Sequence, residues 1–415
     1  MKTSYLIVFI LSFYVSFSQV YETPPTENIK TIIFQSSSDE FSGTPIMKMN
    51  DRLILKFDDL KGAESDYYYE IEHYNFDWTK SDLSKSEYLE GFDDLRILNF
   101  QNSFNTLQSY TNYSLNLPNK DTRAFKKTGN YLLKIKNDAG QVVFTRKFIV
   151  VNNEVKVKMS VLEDRRLDYA NQKQVINFEI GQDDFFFKNP KQSVKVVLIK
   201  NNDFSNGIYN LKPQYNQGNI LIYRHNDESS FWGGNEYRNF DTKDIRLGTS
   251  QIRRVELTDI YNSYLFKDYD RSTKEYTYNP DINGSFLLNV INADQLDKEA
   301  DYTRVHFKLQ TNQDLSDGEV HVYGKFNNYT LNDDTMLKLN PNTGSYENSM
   351  LFKQGFYNYK YVFWSQEKGF NDIKISGSHT ETENLYSIIV YYRPVGTRYD
   401  KVIGTGHLIS RNIKK

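Results

Sequence analysis

Apolar residues fall at every second position along most of the chain, in short runs separated by turn residues. "RLILKFDDL" (52–60) sets Leu53, Leu55 and Phe57 against polar neighbours, and "YYYEIEHYNFDW" (67–78) sets Tyr69, Ile71 and His73 against Tyr68, Glu70 and Glu72. This is the period of a half-buried β-strand, whose side chains point to alternate faces. "YLLKIKNDAGQVVFTRKFIVV" (131–151) reads as two strands joined by a turn at Asn137–Gln141. "EVKVKMSVLE" (154–163) alternates Val155, Val157 and Met159 with Lys156 and Lys158; "QVINFEI", "SVKVVLIK" and "NILIYRH" follow between Gly, Asn and Pro clusters. "DYTRVHFKLQ" (301–310), "GEVHVYGKF", "YENSMLFKQGFYNYKYVF" and "LYSIIVYYR" continue the series.

The predicted fold class is all-β, with tandem β-sandwich domains of the immunoglobulin or fibronectin kind. The expected divisions are an N-terminal β domain over 19–152, a middle β domain over 153–298 and a C-terminal sandwich over 299–415. "TGNYLLKI" (128–135) and "TGSYENSM" (343–350) both place Thr-Gly-x-Tyr before an alternating run. A Tyr at such a corner can send its hydroxyl back to upstream backbone, a device of these sandwiches.

Composition supports this picture: 32 Tyr and 28 Phe favour strands and half-buried positions. With no Cys, no disulfide staples the chain, and stability must come from core burial. The formal net charge of −2 argues against nucleic acid or an anionic membrane surface as the main partner. The opening "MKTSYLIVFILSFYVSFSQ" has Lys2, an apolar stretch over Tyr5–Val15, and small residues Ser16 and Ser18 before Gln19. It reads as a secretory signal peptide over 1–18, cleaved between Ser18 and Gln19, so the protein is expected outside the cytoplasm. An outer-membrane barrel would need uncharged apolar residues at every second position over roughly ten residues. The short, uneven, lysine-bearing strands do not supply that, and no membrane insertion is expected.

Chemistry is sparse. His73, His225, His306, His321, His379 and His407 form no metal-ligand spacing, although His306 and His321 could meet across a sheet. "GTGHLIS" (404–410) is not a nucleophile elbow. The acid pairs Asp58–Asp59, Asp93–Asp94, Asp183–Asp184 and Asp333–Asp334 read as solvated turn residues at strand ends. "DINGS" (281–285) and "DFSNG" (203–207) lack a full calcium-loop ladder. No catalytic residue, cofactor or metal is assigned. "FWGGNEYRNFD" (231–241) is expected to be a tight reversal, with Trp232, Tyr237 and Arg238 as candidate partner contacts because these residue types carry binding hot spots.

Three longer blocks go beyond composition: 78–119, from "WTKSDLSKSEYLEGFDDL" to "SLNLPN"; 231–246, "FWGGNEYRNFDTKDIR"; and 351–363 with 380–404, "LFKQGFYNYKYVF" and "TETENLYSIIVYYRPVGTRYDKVIG". In order and spacing they resemble the plug proteins of the bacterial type IX secretion system, over essentially the whole chain after the signal. The resemblance implies a periplasmic, non-enzymatic protein of three β-rich domains, monomeric outside its complex. It implies one partner, the large outer-membrane translocon barrel, whose periplasmic mouth the plug covers when no cargo is engaged. A second reading comes from 322–363, which is similar to starch-binding-like sandwiches and would make the chain an exported glycan-binding protein. There Tyr329 stands where those domains carry a stacking Trp.

Overall fold

The computed structural model describes residues 21–38 and 45–411. The expected signal peptide, with Ser18 and Gln19, lies outside them. Nearly all regular structure is strand.

The N-terminal domain pairs two sheets over one core. One sheet runs Ile29–Ser36, Leu53–Asp59, Thr111–Leu117, Asn99–Asn102; the other runs Ile46–Lys48, Val142–Val151, Gly129–Asn137, Tyr67–Tyr74, Leu95–Arg96. Alternation places Leu53, Leu55 and Phe57 opposite Tyr69, Ile71 and Phe144 in that core. The first tyrosine corner is present: buried Tyr131 donates its hydroxyl to Lys127 O at 2.7 Å. The second is not at Tyr346. It lies eleven residues on, where Tyr357 donates to Lys353 O at 2.7 Å, so the repeated motif is Lys-x-Gly-x-Tyr.

The remaining strands divide the chain differently from the expected 153–298 and 299–415. The middle domain joins Lys156–Glu163, Lys173–Gly181, Ile220–Tyr223 and Tyr215–Gln217 in one sheet, and Asp203–Tyr209, Val194–Lys200, Leu385–Tyr392 and Lys401–Ile409 in another. The last hairpin of the chain therefore completes the middle domain. The reason is visible in "SVKVVLIK" and "LYSIIVYY", whose apolar runs are covered on both faces. Val194, Val196 and Leu198 with Tyr386, Ile388 and Val390 face the middle core. Val197, Ile199, Ile389 and Tyr391 pack against Phe76, Ile149 and Val151 of the N-terminal domain. Strands buried on two faces read as continuous apolar runs and take central places.

The third domain lies entirely between the two halves of the middle one. Its eleven-stranded sheet extends from Arg238–Asp241 through Gly355–Ser365 and Tyr302–Gln310 to Ile252–Leu257. Phe240 of the first strand packs at 5.9 Å from Phe307 and 5.1 Å from Phe352, both on strands far along the order, so the sheet curls back on itself around its core.

Candidate functional site: the domain junctions

"FWGGNEYRNFD" is the crossing from the middle domain into the third. It runs beside the return crossing, residues 376–384. His379 N donates to Gly234 O at 2.8 Å, Thr382 Oγ1 to the same oxygen at 2.9 Å, and Asn384 Nδ2 to Gly233 O at 2.8 Å. A Cβ on Gly233 would stand 2.0 Å from His379 O, so only glycine lets the two backbones run this close. Gly233→Ala is expected to destabilise the protein by about 1–3 kcal/mol in urea unfolding, since one backbone must shift.

Two of the candidate contact residues face inward. Tyr237 is buried under Gly284 and lies 5.4 Å from the Lys360 ammonium. Arg238 donates to Asp268 Oδ1 at 2.7 Å and to Tyr269 O at 2.5 Å. Trp232 keeps a partly exposed edge, with its ring against Tyr169 and Lys173, and Arg238 is partly exposed too, although its guanidinium is engaged. Aromatic and Arg content identifies hot-spot chemistry but not which way a side chain points.

Between Trp232 and Arg238 the crossing also buries an acid. Glu236, 1% exposed, accepts from Tyr276 OH at 2.6 Å and from Glu383 N at 3.1 Å, so it ties the two crossings together. Its carboxyl also hydrogen-bonds Asp281, which accepts from Tyr237 N and Asn283 N. Burial pushes Asp281 up to about 7, and the neighbouring Glu236 adds to the shift. The folded protein then holds a proton that the unfolded chain releases near pH 4. Stability is accordingly expected to fall as pH rises from about 4 to about 7 and to level off above, by on the order of 2–4 kcal/mol. Glu236→Gln keeps the acceptor for Tyr276 and Glu383 and donates to Asp281. Denaturation curves across that range should be flatter in this variant than in the parent, with the part due to burial of Asp281 remaining.

The third domain meets its neighbours through buried polar clasps. Asp58 and Lys353, with side chains 0% and 1% exposed, form an ion pair at 2.8 Å between the N-terminal and third domains. Tyr302 OH at 2.6 Å and Asn112 Nδ2 at 2.7 Å complete the Asp58 shell. Burial pushes Asp58 up and Lys353 down, each countered by the partner's charge. The neighbouring Asp59 is also buried and accepts from Asn28, Ser65 and Tyr67. The two acids are therefore not a solvated turn: Asp58 is a junction element, and Asp59 is held within the N-terminal domain. Against the middle domain, Tyr323 donates to Asp203 Oδ2 at 2.6 Å and Tyr329 to Asn201 O at 2.8 Å. Tyr329 is 9% exposed, so it offers no face for sugar stacking. His306 and His321 do not meet: His306 binds Asn262 Oδ1 and His321 binds Thr335 Oγ1. Among the described residues no group of three His, Cys, Asp or Glu is placed to hold a metal, and no helix is long and apolar enough to cross a membrane.

Residues 29–152, the N-terminal domain as its sheets delimit it, match the family described as "Type 9 secretion system plug protein 1st domain". The chain belongs to the type 9 secretion system plug protein family. The same fold occurs in a crystal structure of a hypothetical protein from Parabacteroides merdae. That structure has a TM-score of 0.90 and 32% identity, over 95% of this chain and 100% of that one. A biofilm-associated protein BSP domain aligns with a TM-score of only 0.17. Among curated proteins none matches. In this plug chain the junction residues Asp58, Lys353, Glu236 and Tyr329 carried no legible sequence signal beyond a repeated Asp pair and a Tyr at a Trp position.

Proposed function

We propose that this chain is a non-enzymatic periplasmic plug that seals the periplasmic opening of the type IX outer-membrane translocon when no cargo is engaged. Membership of the plug family carries this reading, and the junctions support it. A cover for a wide pore must resist bending, and here doubly buried strands, a buried ion pair and a double crossing hold three domains against one another. Interfaces of roughly 1,600 Å² with a few aromatic or Arg anchors are strong enough to seal yet can be displaced when cargo favours the open state. The exposed edge of Trp232 is one candidate anchor. The test is affinity purification of the tagged chain from solubilised envelopes, with deletion of its gene assayed for entry of bulky solutes. Recovery of the translocon barrel and a leaky outer membrane are expected. Unchanged permeability with no barrel recovered would refute the proposal.

A further inference from the structure

Alternation along Val142–Val151 puts Phe144, Arg146 and Phe148 on one face, and both phenylalanines belong to the N-terminal core. A guanidinium thus occupies an inward position. Arg146 is 7% exposed, donates through Nη1 to Thr145 O at 2.8 Å and stands 5.3 Å from the Phe144 ring centroid. Its other N–H groups find no acceptor among the described residues, although an Arg presents five donors. The acid that acts on it electrostatically, Glu22, has both oxygens engaged, by Lys147 N at 2.5 Å and Asn328 Nδ2 at 2.6 Å. Burying a charge without a partner is costly.

The side chain borders two adjoining spaces. One is a cavity of about 450 Å³ between the N-terminal and third domains; the other, about 100 Å³, lies where all three domains meet, and Ile32 and Arg146 line both. The larger is walled by Ile32 on one side and by Phe286, Phe326 and Met350 on the other, none fully covered by its own core. Of the other cations on its wall, Lys353 pairs with Asp58, Lys30 pairs with Asp334 at 3.8 Å, and Arg304 is exposed to solvent. Arg146 is the buried one without an ion pair among the described residues.

We propose that this cleft binds a small amphiphilic carboxylate, its head paired with Arg146 and its apolar body lying between Ile32 and the Phe286–Phe326–Met350 wall. The guanidinium fork matches a carboxylate in two parallel hydrogen bonds, and one buried cation balances a single negative charge. The volume lies in the range of small-molecule sites. Two sources share this chemistry, a free fatty acid and the C-terminal residue of an extended peptide. The inference does not depend on the plug reading.

Calorimetric titration of the full folded chain tests it, using decanoate against decanamide and acetyl-Ala-Leu-Phe as free acid against its amide. At least one acid is expected to bind about tenfold or more tightly than its amide, the effect of one charged hydrogen-bond partner. Arg146→Met should abolish that preference and Arg146→Lys should weaken it. Met350→Trp, which fills the cavity and leaves the charge alone, should abolish binding even if Arg146→Met does not fold. Binding of decanoate alone assigns a lipid source, and binding of the peptide acid alone assigns a chain terminus. Equal binding of acids and amides, no binding to the folded parent, or a preference surviving in Arg146→Met overturns the proposal.

Discussion

Lys353→Met is expected to lower unfolding stability by about 3–5 kcal/mol, because it strands the Asp58 carboxylate in a space that excludes water. Asp58 would keep only its neutral donors, Tyr302 and Asn112, and would have to take up a proton or draw in solvent. Removing the partner charge as well, in Asp58→Asn with Lys353→Met, should recover most of the loss, since the desolvation penalty disappears with the charges. Urea denaturation of the two single variants and the double variant measures the coupling. If Lys353→Met is as stable as the parent, the pair is not an anchor of this junction. Proteolysis of the single variants should open first at the join of the N-terminal and third domains, near the loop over residues 103–109 that docks on Lys298 and Asp301.

Tyr391→Ala should be nearly as damaging, about 3–5 kcal/mol, the range for truncating a large buried aromatic. The ring packs edge-on to Phe76 at 5.1 Å, and the hydroxyl donates to the buried Asn130 Oδ1 at 2.6 Å. Both partners belong to the N-terminal domain, so the loss falls on the seam and spares the middle core. Hydrogen exchange should therefore accelerate along Leu385–Tyr392 and Val142–Val151 while Lys173–Gly181 stays protected. Uniform acceleration over all three domains would show that the seam does not uncouple separately.

What the chain reveals of itself follows from the range over which each signal acts. Alternation is local, and it places Leu53, Leu55, Phe57 and Ile71 inward, as observed. Partner choice between strands is not local. Leu385–Tyr392 sits close in sequence to Gly355–Ser365, yet it pairs with Val194–Lys200. Its unbroken apolar run is the one hint that it needs cover on both faces. Turn chemistry is similarly ambiguous. An Asp pair at a strand end is usually wet, and Asp58 is dry only because another domain lies on it. Gly233–Gly234 announces a tight backbone passage, but nothing within ten residues says that the second backbone comes from residues 376–384. Tyr329 shows the same limit, since its ring could have faced a ligand and instead clasps Asn201.

The order of strands in the middle domain has a consequence for biogenesis. A sheet opened by Val194–Lys200 waits for Leu385–Tyr392 and Lys401–Ile409, so the second domain to begin is the last that can close. During synthesis its exposed edges persist until Lys401–Ile409 emerges, while the intervening domain can already form. A stop codon or nick shortly after residue 380 would thus leave the two outer domains their strands and dismantle the one that joins them.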